Sequence, residues 1–369
     1  MNRRQALLAC AQAGLLCMTQ RARASKSSPS VVFLNPGEAV ERGTGQHWQL
    51  VSRFMTIAAK TLDMQLEVLY AERDHLLMQR QAEALARRAD APDYVVIVNE
   101  KMAAQHMLKT LARSPAKVLL IHNDLTPGQR RAIGNERQQI QNWIGTVTAD
   151  AAGGAYRLME YLCQRLGPRD ARVIGITGDP NTPVSLERAS GVDAYLSKLP
   201  HARTCQLVFS DWSFADADEK ARVLLARYPD ANLIWAANDS MTLGALHAAQ
   251  ARNAGVLIGG MGALPEALTH VADGDLAAMV GGDYFLGAFA MVLLYDYHRG
   301  RDFAAAGGVS QKLDYLSVIH RGNVIGYQQS VFKHADTLNF SRYSKYIDSR
   351  PGPYDFALTH LLSSVAKVS

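Results

Sequence analysis

The chain has 369 residues, 48% of them apolar and 20% charged, enough apolar side chain for about two domains of ordinary size. Those proportions exclude a disordered chain, a collagen-like chain and a small disulfide scaffold. The formal charge of +5 sits largely at one end: residues 1–24 hold Arg3, Arg4, Arg21 and Arg23 and no acid, leaving 35 basic against 34 acidic residues in the body. No long basic run remains there, so the charge gives no reason to expect a nucleic-acid partner.

In chain order, residues 1–24 read first as an export leader. Arg3-Arg4 precede a modest apolar stretch, Ala22-Arg23-Ala24 offers a small-x-small cleavage site, and a polar Ser25–Ser28 segment follows. The apolar stretch is shorter than the ~20 residues that span a bilayer, and no later segment is long enough. The arginine pair leaves twin-arginine export open beside general secretion. An amphipathic helix packed on the body is the competing reading. Cys10 and Cys17 leave with the leader, so Cys163 and Cys205 remain. They are expected as two buried thiols, with a disulfide as the alternative in an exported compartment.

The body alternates short apolar runs with helical stretches. Strands are predicted at Val31–Asn35, Gln65–Tyr70, Tyr94–Asn99 and Val118–His122. After the segment Trp143–Thr148 they resume at Val173–Thr177, Gln206–Ser210, Leu233–Ala237 and Val256–Gly260, with a further run at Tyr315–Ile319. Helices are predicted between them: His47–Leu62, His75–Arg88, Ala149–Leu166, Leu186–Leu199, Asp216–Tyr228, Ser240–Asn253 and Phe285–Tyr297. Unalternating apolar runs of about four to six residues suit strands buried on both faces, and alternating βα units predict parallel sheets covered by helices. A single eight-unit barrel also fits the count. The polar stretch 125–143 interrupts the series, however, and further elements follow residue 300, so two α/β lobes are favoured.

In open α/β sheets ligands sit beyond the carboxyl ends of the strands. There this chain carries Asn35, Asn99-Glu100, Asn123-Asp124, Asp179, Asp211-Trp212 and Asn238-Asp239, with Trp48 nearby. Amides and carboxylates give directional hydrogen bonds to hydroxyls, and an indole face covers the apolar side of a sugar ring. Arg188, at the start of a helix, adds a guanidinium fork. Helix capping is the simpler reading of any single Asn or Asp, but their clustering on one edge of both lobes favours a ligand cleft. No nucleophile elbow, phosphate loop or zinc-protease motif is present. No His/Cys spacing indicates a metal, and most of the eleven dispersed histidines are expected to face solvent or serve structure. Gly259-Gly260-Met261-Gly262 reads as a tight turn that lets backbone approach a ligand.

At this point the chain resembles the type I periplasmic binding proteins of the ribose/galactose-binding family, across about residues 30–300. The resemblance rests on Ile174–Gly178 with Glu187–Gly191, on Trp235–Ala245 and on Ile258–Gly262 with Pro265–Ala267 and Gly274–Leu276. It implies two Rossmann-like lobes with parallel sheets, joined by a hinge of three crossovers near 145–149, 279–283 and 311–317. The implied segments are 1–24 as signal peptide, 30–146 with 284–310 as first lobe, 147–283 with 311–326 as second, and 327–369 as C-terminal extension. The family's ligand arginine falls on Arg188 and its Asn-Asp pair on Asn238 and Asp239, while Asp283 stands at the second crossover. Gly262 replaces the family's sugar-binding aspartate. The glycine-rich turn, with Gln46-His47-Trp48, is closer to the periplasmic receptor for a furanosyl-borate autoinducer, although Met261 replaces that receptor's aromatic residue.

The resemblance implies a periplasmic solute-binding protein that encloses a small polar, carbohydrate-like ligand without a cofactor. Its partner would be an ABC permease or the periplasmic domain of a sensor kinase or cyclase. The ligand set is Asn35, Trp48, Asn99, Asn123, Asp124, Arg188, Trp212, Asn238, Asp239, Met261 and Asp283. The alternative is an exported hydrolase with Asp179, Asp211 or Asp239 as acid or base. A regulator of the lac-repressor family would need an N-terminal DNA-binding domain where this chain has a leader. The tail, with Tyr343, Tyr346, Tyr354 and a Pro351-Gly352-Pro353 break, is expected to strap the body or offer a partner surface.

Overall fold

The computed structural model describes residues 28–42 and 45–361; the leader expected at 1–24 lies outside them. The first half of the chain runs β1 (Ser30–Asn35), α1 (His47–Thr61), β2 (Gln65–Tyr70), α2 (His75–Ala86), β3 (Tyr94–Val98), α3 (Ala104–Leu111), β4 (Lys117–Ile121), α4 (Pro127–Ile133) and β5 (Trp143–Ala149). Next come α5 (Ala151–Leu166), β6 (Ala171–Thr177), α6 (Pro183–Leu196), β7 (Ala202–Phe209), α7 (Phe214–Arg227), β8 (Leu233–Ala236), α8 (Asp239–Ala251), β9 (Leu257–Gly262), α9 (Pro265–Asp273) and β10 (Ala278–Gly281). The chain then continues through α10 (Leu286–His298), β11 (Ser310–Leu313), β12 (Ser317–His320) and α11 (Val324–Gln328).

These strands form two six-stranded sheets, β11-β5-β4-β3-β1-β2 and β12-β10-β9-β8-β6-β7. All pairs are parallel except β12, which runs antiparallel to β10. The central strands β3 and β8 are buried at every position, as runs such as Tyr-Val-Val-Ile-Val require. The edge strands β2 and β7 are more exposed. Alternation on that edge also hides the start of β7 from an apolar-run reading, which placed it at Gln206 rather than Ala202.

The chain passes between the sheets three times: after β5, between β10 and α10, and between β11 and β12. The first passage follows Ala149, because all of Trp143–Ala149 stays with the first sheet. Strand β11 pairs with β5, so residues 311–313 lie in the first lobe, which corrects their expected assignment to the second. The polar stretch 125–143 holds a helix after all. Thr126 and Gln129 form a reciprocal capping box with Pro127 at the first helical position, a start signal that an apolar-period reading passes over. Helices α3 and α9 and strands β10 and β11 were likewise not foreseen.

Helix α10 is buried from Leu286 to Asp296. It packs on α1 and the first sheet, and the C-terminal segment covers its remaining side. There Phe289 stacks on Phe356 at 4.5 Å and meets Tyr315 and Tyr343 edge-on. Cys163 and Cys205 are free thiols, but each is only half-buried, on α5 and on the edge strand β7. No described helix is long and apolar enough to cross a membrane.

Candidate ligand-binding site

The carboxyl ends of both sheets face one cleft, lined from the first lobe by His47, Trp48, Arg73, Glu100, His122 and Asn123. The second lobe contributes Thr182, Val184, Arg188, Trp212, Asn238, Asp239, Met261, Gly262 and Leu264, and Asp283 stands at the second crossover. The two lobes touch around the rim. Lys101 lies 3.8 Å from Asp179, and Lys312 donates to Glu187.

Eight of the eleven predicted ligand residues line this cleft: Trp48, Asn123, Arg188, Trp212, Asn238, Asp239, Met261 and Asp283. The other three are corrections. Asn35 is fully buried; its Nδ2 donates to Trp48 O and Ser52 Oγ, and its Oδ1 accepts from Gly37 N. Asn99 is locked in the same way by Asp124 O, Gln129 and Ala104 N. Asp124 turns away to Arg130 at 2.6 Å. These are loop-building hydrogen bonds, the competing role of short polar side chains at strand ends.

The centre of the cleft is Arg188, 7% exposed. Its Nη1 donates to Ala237 O, and its Nη2 donates to Asp283 Oδ2 at 2.7 Å. Burial raises the Asp283 pKa, but His122, Arg188 and His47 together outweigh it and hold the carboxyl below its usual range. Burial pushes His47 down to about 3 and lowers His122, with the Asp283 carboxylate opposing the shift in both. Arg73 and Glu100 pair at 3.1 Å. These four charges are thus paired within the protein.

Several polar atoms around the cleft are nonetheless buried with no partner among the described residues: Arg188 Nε, Trp212 Nε1, Asn123 Oδ1, Thr182 Oγ1 and His122 Nε2. Donors and acceptors are both represented, a set that suits hydroxyls. Asn238 is different. Its Oδ1 caps α8 at Met241 N, and its Nδ2 holds Trp212 O.

Backbone geometry presents several of these groups. His122 and Trp212 adopt left-handed φ values of 63° and 74°, unusual for bulky residues and a form of strain concentrated at functional sites. The Trp212 ring lies over Gly178, where an added Cβ would come within 2.1 Å of it. At Gly262 (φ 125°) a Cβ would lie 1.6 Å from Asp239 Oδ2, so the absent side chain leaves room for the Asp239 carboxyl.

Asp239 carries a pH signature. Burial pushes it up to about 7, although Leu264 N–H donates to its Oδ1. A carboxyl raised in the folded state stabilises the fold fully below about pH 4 and loses that contribution as pH rises to 7. Replacing Asp239 with Asn is expected to leave stability near pH 4 unchanged and to raise it above pH 7 by up to about 4 kcal/mol. Denaturant melts across this range would check it; parallel profiles for the two proteins would show Asp239 ionised throughout.

The ligand set expected from the sequence leaves out His47, Arg73, Glu100 and His122, although Glu100 and His47 were noted beside members of it. The strand-end rule was not applied to β2, whose end leads to Arg73. At β3 it reached Asn99-Glu100, of which Glu100 lines the cleft, and at β4 it took Asn123, which lines the cleft, with Asp124 and not His122. Two of the eleven histidines line the cleft: His47, His122 and Asp283 bring potential metal-ligand atoms within 4.8 Å of one another.

Two parallel α/β sheets, three crossings and a polar cleft between the carboxyl edges define a two-lobed binding protein. A model of the periplasmic binding protein domain matches residues 39–302, and the chain belongs to that family. A periplasmic sugar-binding protein from Pseudomonas fluorescens is 32% identical, with TM-score 0.80 over 90% of this chain and 99% of that one. The ribose import binding protein of Haemophilus influenzae is 27% identical over 218 residues, 53% of this chain and 71% of that protein. The D-allose-binding periplasmic protein of Escherichia coli is 24% identical over 258 residues, 68% of this chain and 80% of that protein. The family is one of periplasmic substrate-binding proteins rather than enzymes, and the hydrolase alternative finds no support.

Proposed function

We propose that this protein captures a neutral, monosaccharide-sized polyol between its lobes and presents it to an ABC permease. The observation that carries this reading is the cleft's balance: Arg188 is paired with Asp283 and Arg73 with Glu100, burial raises Asp239 towards its neutral form, and among the described residues partnerless donors and acceptors remain around them. A neutral ligand with several hydroxyls satisfies such a set, whereas an anion or cation leaves a charge uncompensated. Trp48 and Trp212 supply indole surface from opposite lobes. The three relatives, named for sugar, ribose and D-allose binding, support the same class. Closure about the three crossings would let the partner read occupancy as a changed relation between the lobes.

The test is a thermal-shift panel on ligand-free protein, residues 25–369. It would include pentoses, hexoses, cyclic polyols, furanosyl compounds with and without borate, uronic acids and amino acids. A neutral polyol at about 100 times its Kd is expected to add roughly 2.7 kcal/mol of apparent stability. A response confined to uronic acids or amino acids, or none at all, would sink the reading. Gene deletion separates the partners: loss of uptake indicates a permease, and loss of signalling with uptake intact indicates a sensor kinase or cyclase. Amino-terminal sequencing of the exported protein tests cleavage after Ala24.

A further inference from the structure

We propose that His47, His122 and Asp283 form a site for a first-row transition dication at the first-lobe corner of the cleft. The argument rests on spacing. His47 Nε2 stands 3.9 Å from Asp283 Oδ2, and His122 Nδ1 stands 3.8 Å from Asp283 Oδ1. Hydrogen bonds from ring nitrogen to oxygen end near about 3.2 Å, and a bridging water holds its partners roughly 4.5 Å apart. Two bonds of ~2.0–2.2 Å to one ion place ligand atoms about 3–4 Å apart. Both gaps fall in the last range, and the three ligand atoms lie within 4.8 Å of one another, so a small contraction closes the set.

A second observation points the same way. His122 is about nine-tenths buried, yet among the described residues Nε2 has no partner and Nδ1 stands 3.8 Å from the Asp283 carboxylate. Its ring packs edge-on against Trp48, yet that contact leaves Nε2 unpartnered among the described residues. Arg188 holds Asp283 through Oδ2, fixing the carboxylate as an outer partner does. Two imidazoles and one carboxylate favour zinc, nickel or copper over magnesium or calcium. The positive guanidinium opposes the ion, so affinity is expected to be micromolar rather than nanomolar. Three protein ligands leave coordination positions that vicinal hydroxyls of a cleft ligand could fill. The site itself rests on the donor geometry and not on the polyol reading.

The test uses tag-free protein, residues 25–369, stripped with EDTA and titrated with Zn²⁺ by calorimetry and with Co²⁺ by visible absorption. One ion per chain is expected, at least tenfold weaker in His47→Ala and in His122→Asn, the latter chosen because asparagine tolerates positive φ. The exposed His106→Ala control should bind as wild type. No binding, or binding that survives both cleft substitutions, overturns the site. If His122→Asn does not fold, His47→Ala decides alone. Repeating the polyol panel in EDTA separates the proposals. Polyol shifts with no zinc bound would overturn the metal site and keep the polyol reading; cleft-dependent zinc binding with no polyol shift would do the reverse.

Discussion

Arg188→Met should abolish polyol binding, by at least a hundredfold in Kd, and lower stability at pH 7 by about 3–5 kcal/mol. The stability loss follows from what is left behind. Asp283 is 7% exposed, and its only short contact to a cation is the Arg188 guanidinium at 2.7 Å. Removing one partner of a buried pair strands the other charge. The pH dependence fixes the sign. In the wild type the Asp283 pKa lies below its usual value, so its contribution is present above about pH 4 and lost below. In the variant, burial dominates and the carboxyl takes up a proton at higher pH, which relieves the penalty. The stability gap should therefore be widest near pH 7 and narrow towards pH 5. Arg188→Met with Asp283→Asn should recover much of the stability but none of the binding, because the Nη and Nε donors facing the cleft remain absent. Thermal melts and calorimetry with the best ligand of the panel would decide. Binding retained within threefold in the single variant would make Arg188 a structural cross-brace only.

The fold was legible because buried parallel strands and amphipathic helices write different periods. Strands β1–β4, β6, β8 and β9 and seven helices stand close to where the runs of Val, Ile and Leu placed them. What escaped carries little period. Helix α4 has seven residues in a polar stretch, β11 is a four-residue strand, and β7 alternates along an exposed edge. The site was legible as an edge rather than as a set of atoms. The strand-end rule locates the cleft to within a residue or two, but one step decides whether a side chain enters it or builds the loop. Asn99 and Glu100 show this: the amide ties down Gln129 and Ala104, while its neighbour meets Arg73 in the cleft. His47 and His122 were beyond sequence reasoning, since they are 75 residues apart and only the packing of α1 beside the end of β4 joins them. Their rings meet at 5.5 Å, with Trp48 against both.

The tail yields the second large effect. Asp296 on α10 has no exposed surface, and its carboxylate accepts from Ser344 Oγ, Lys345 N, Tyr346 N and Tyr354 Oη. All four donors belong to the segment that leaves the second lobe after α11 and returns to the first. One carboxylate therefore fastens a fourth connection between the lobes, beside the aromatic contacts of Phe289 with Tyr343 and Phe356. Asp296→Ala should cost about 4 kcal/mol, since charge-assisted hydrogen bonds are lost and a cavity remains. Asp296→Asn, which keeps the shape but one acceptor oxygen, should fall between. The release should also be local. Lys345 is 9% exposed, so trypsin has little access to the bond after it in the wild type and should cut there, or after Arg342, in Asp296→Ala well below the global melting temperature. Because Leu358 also packs beside Gly282 and Tyr315 at the crossings, the freed tail should leave the hinge less restrained and speed ligand release. An unchanged melting temperature with no new tryptic site would show that the aromatic contacts hold the tail without Asp296.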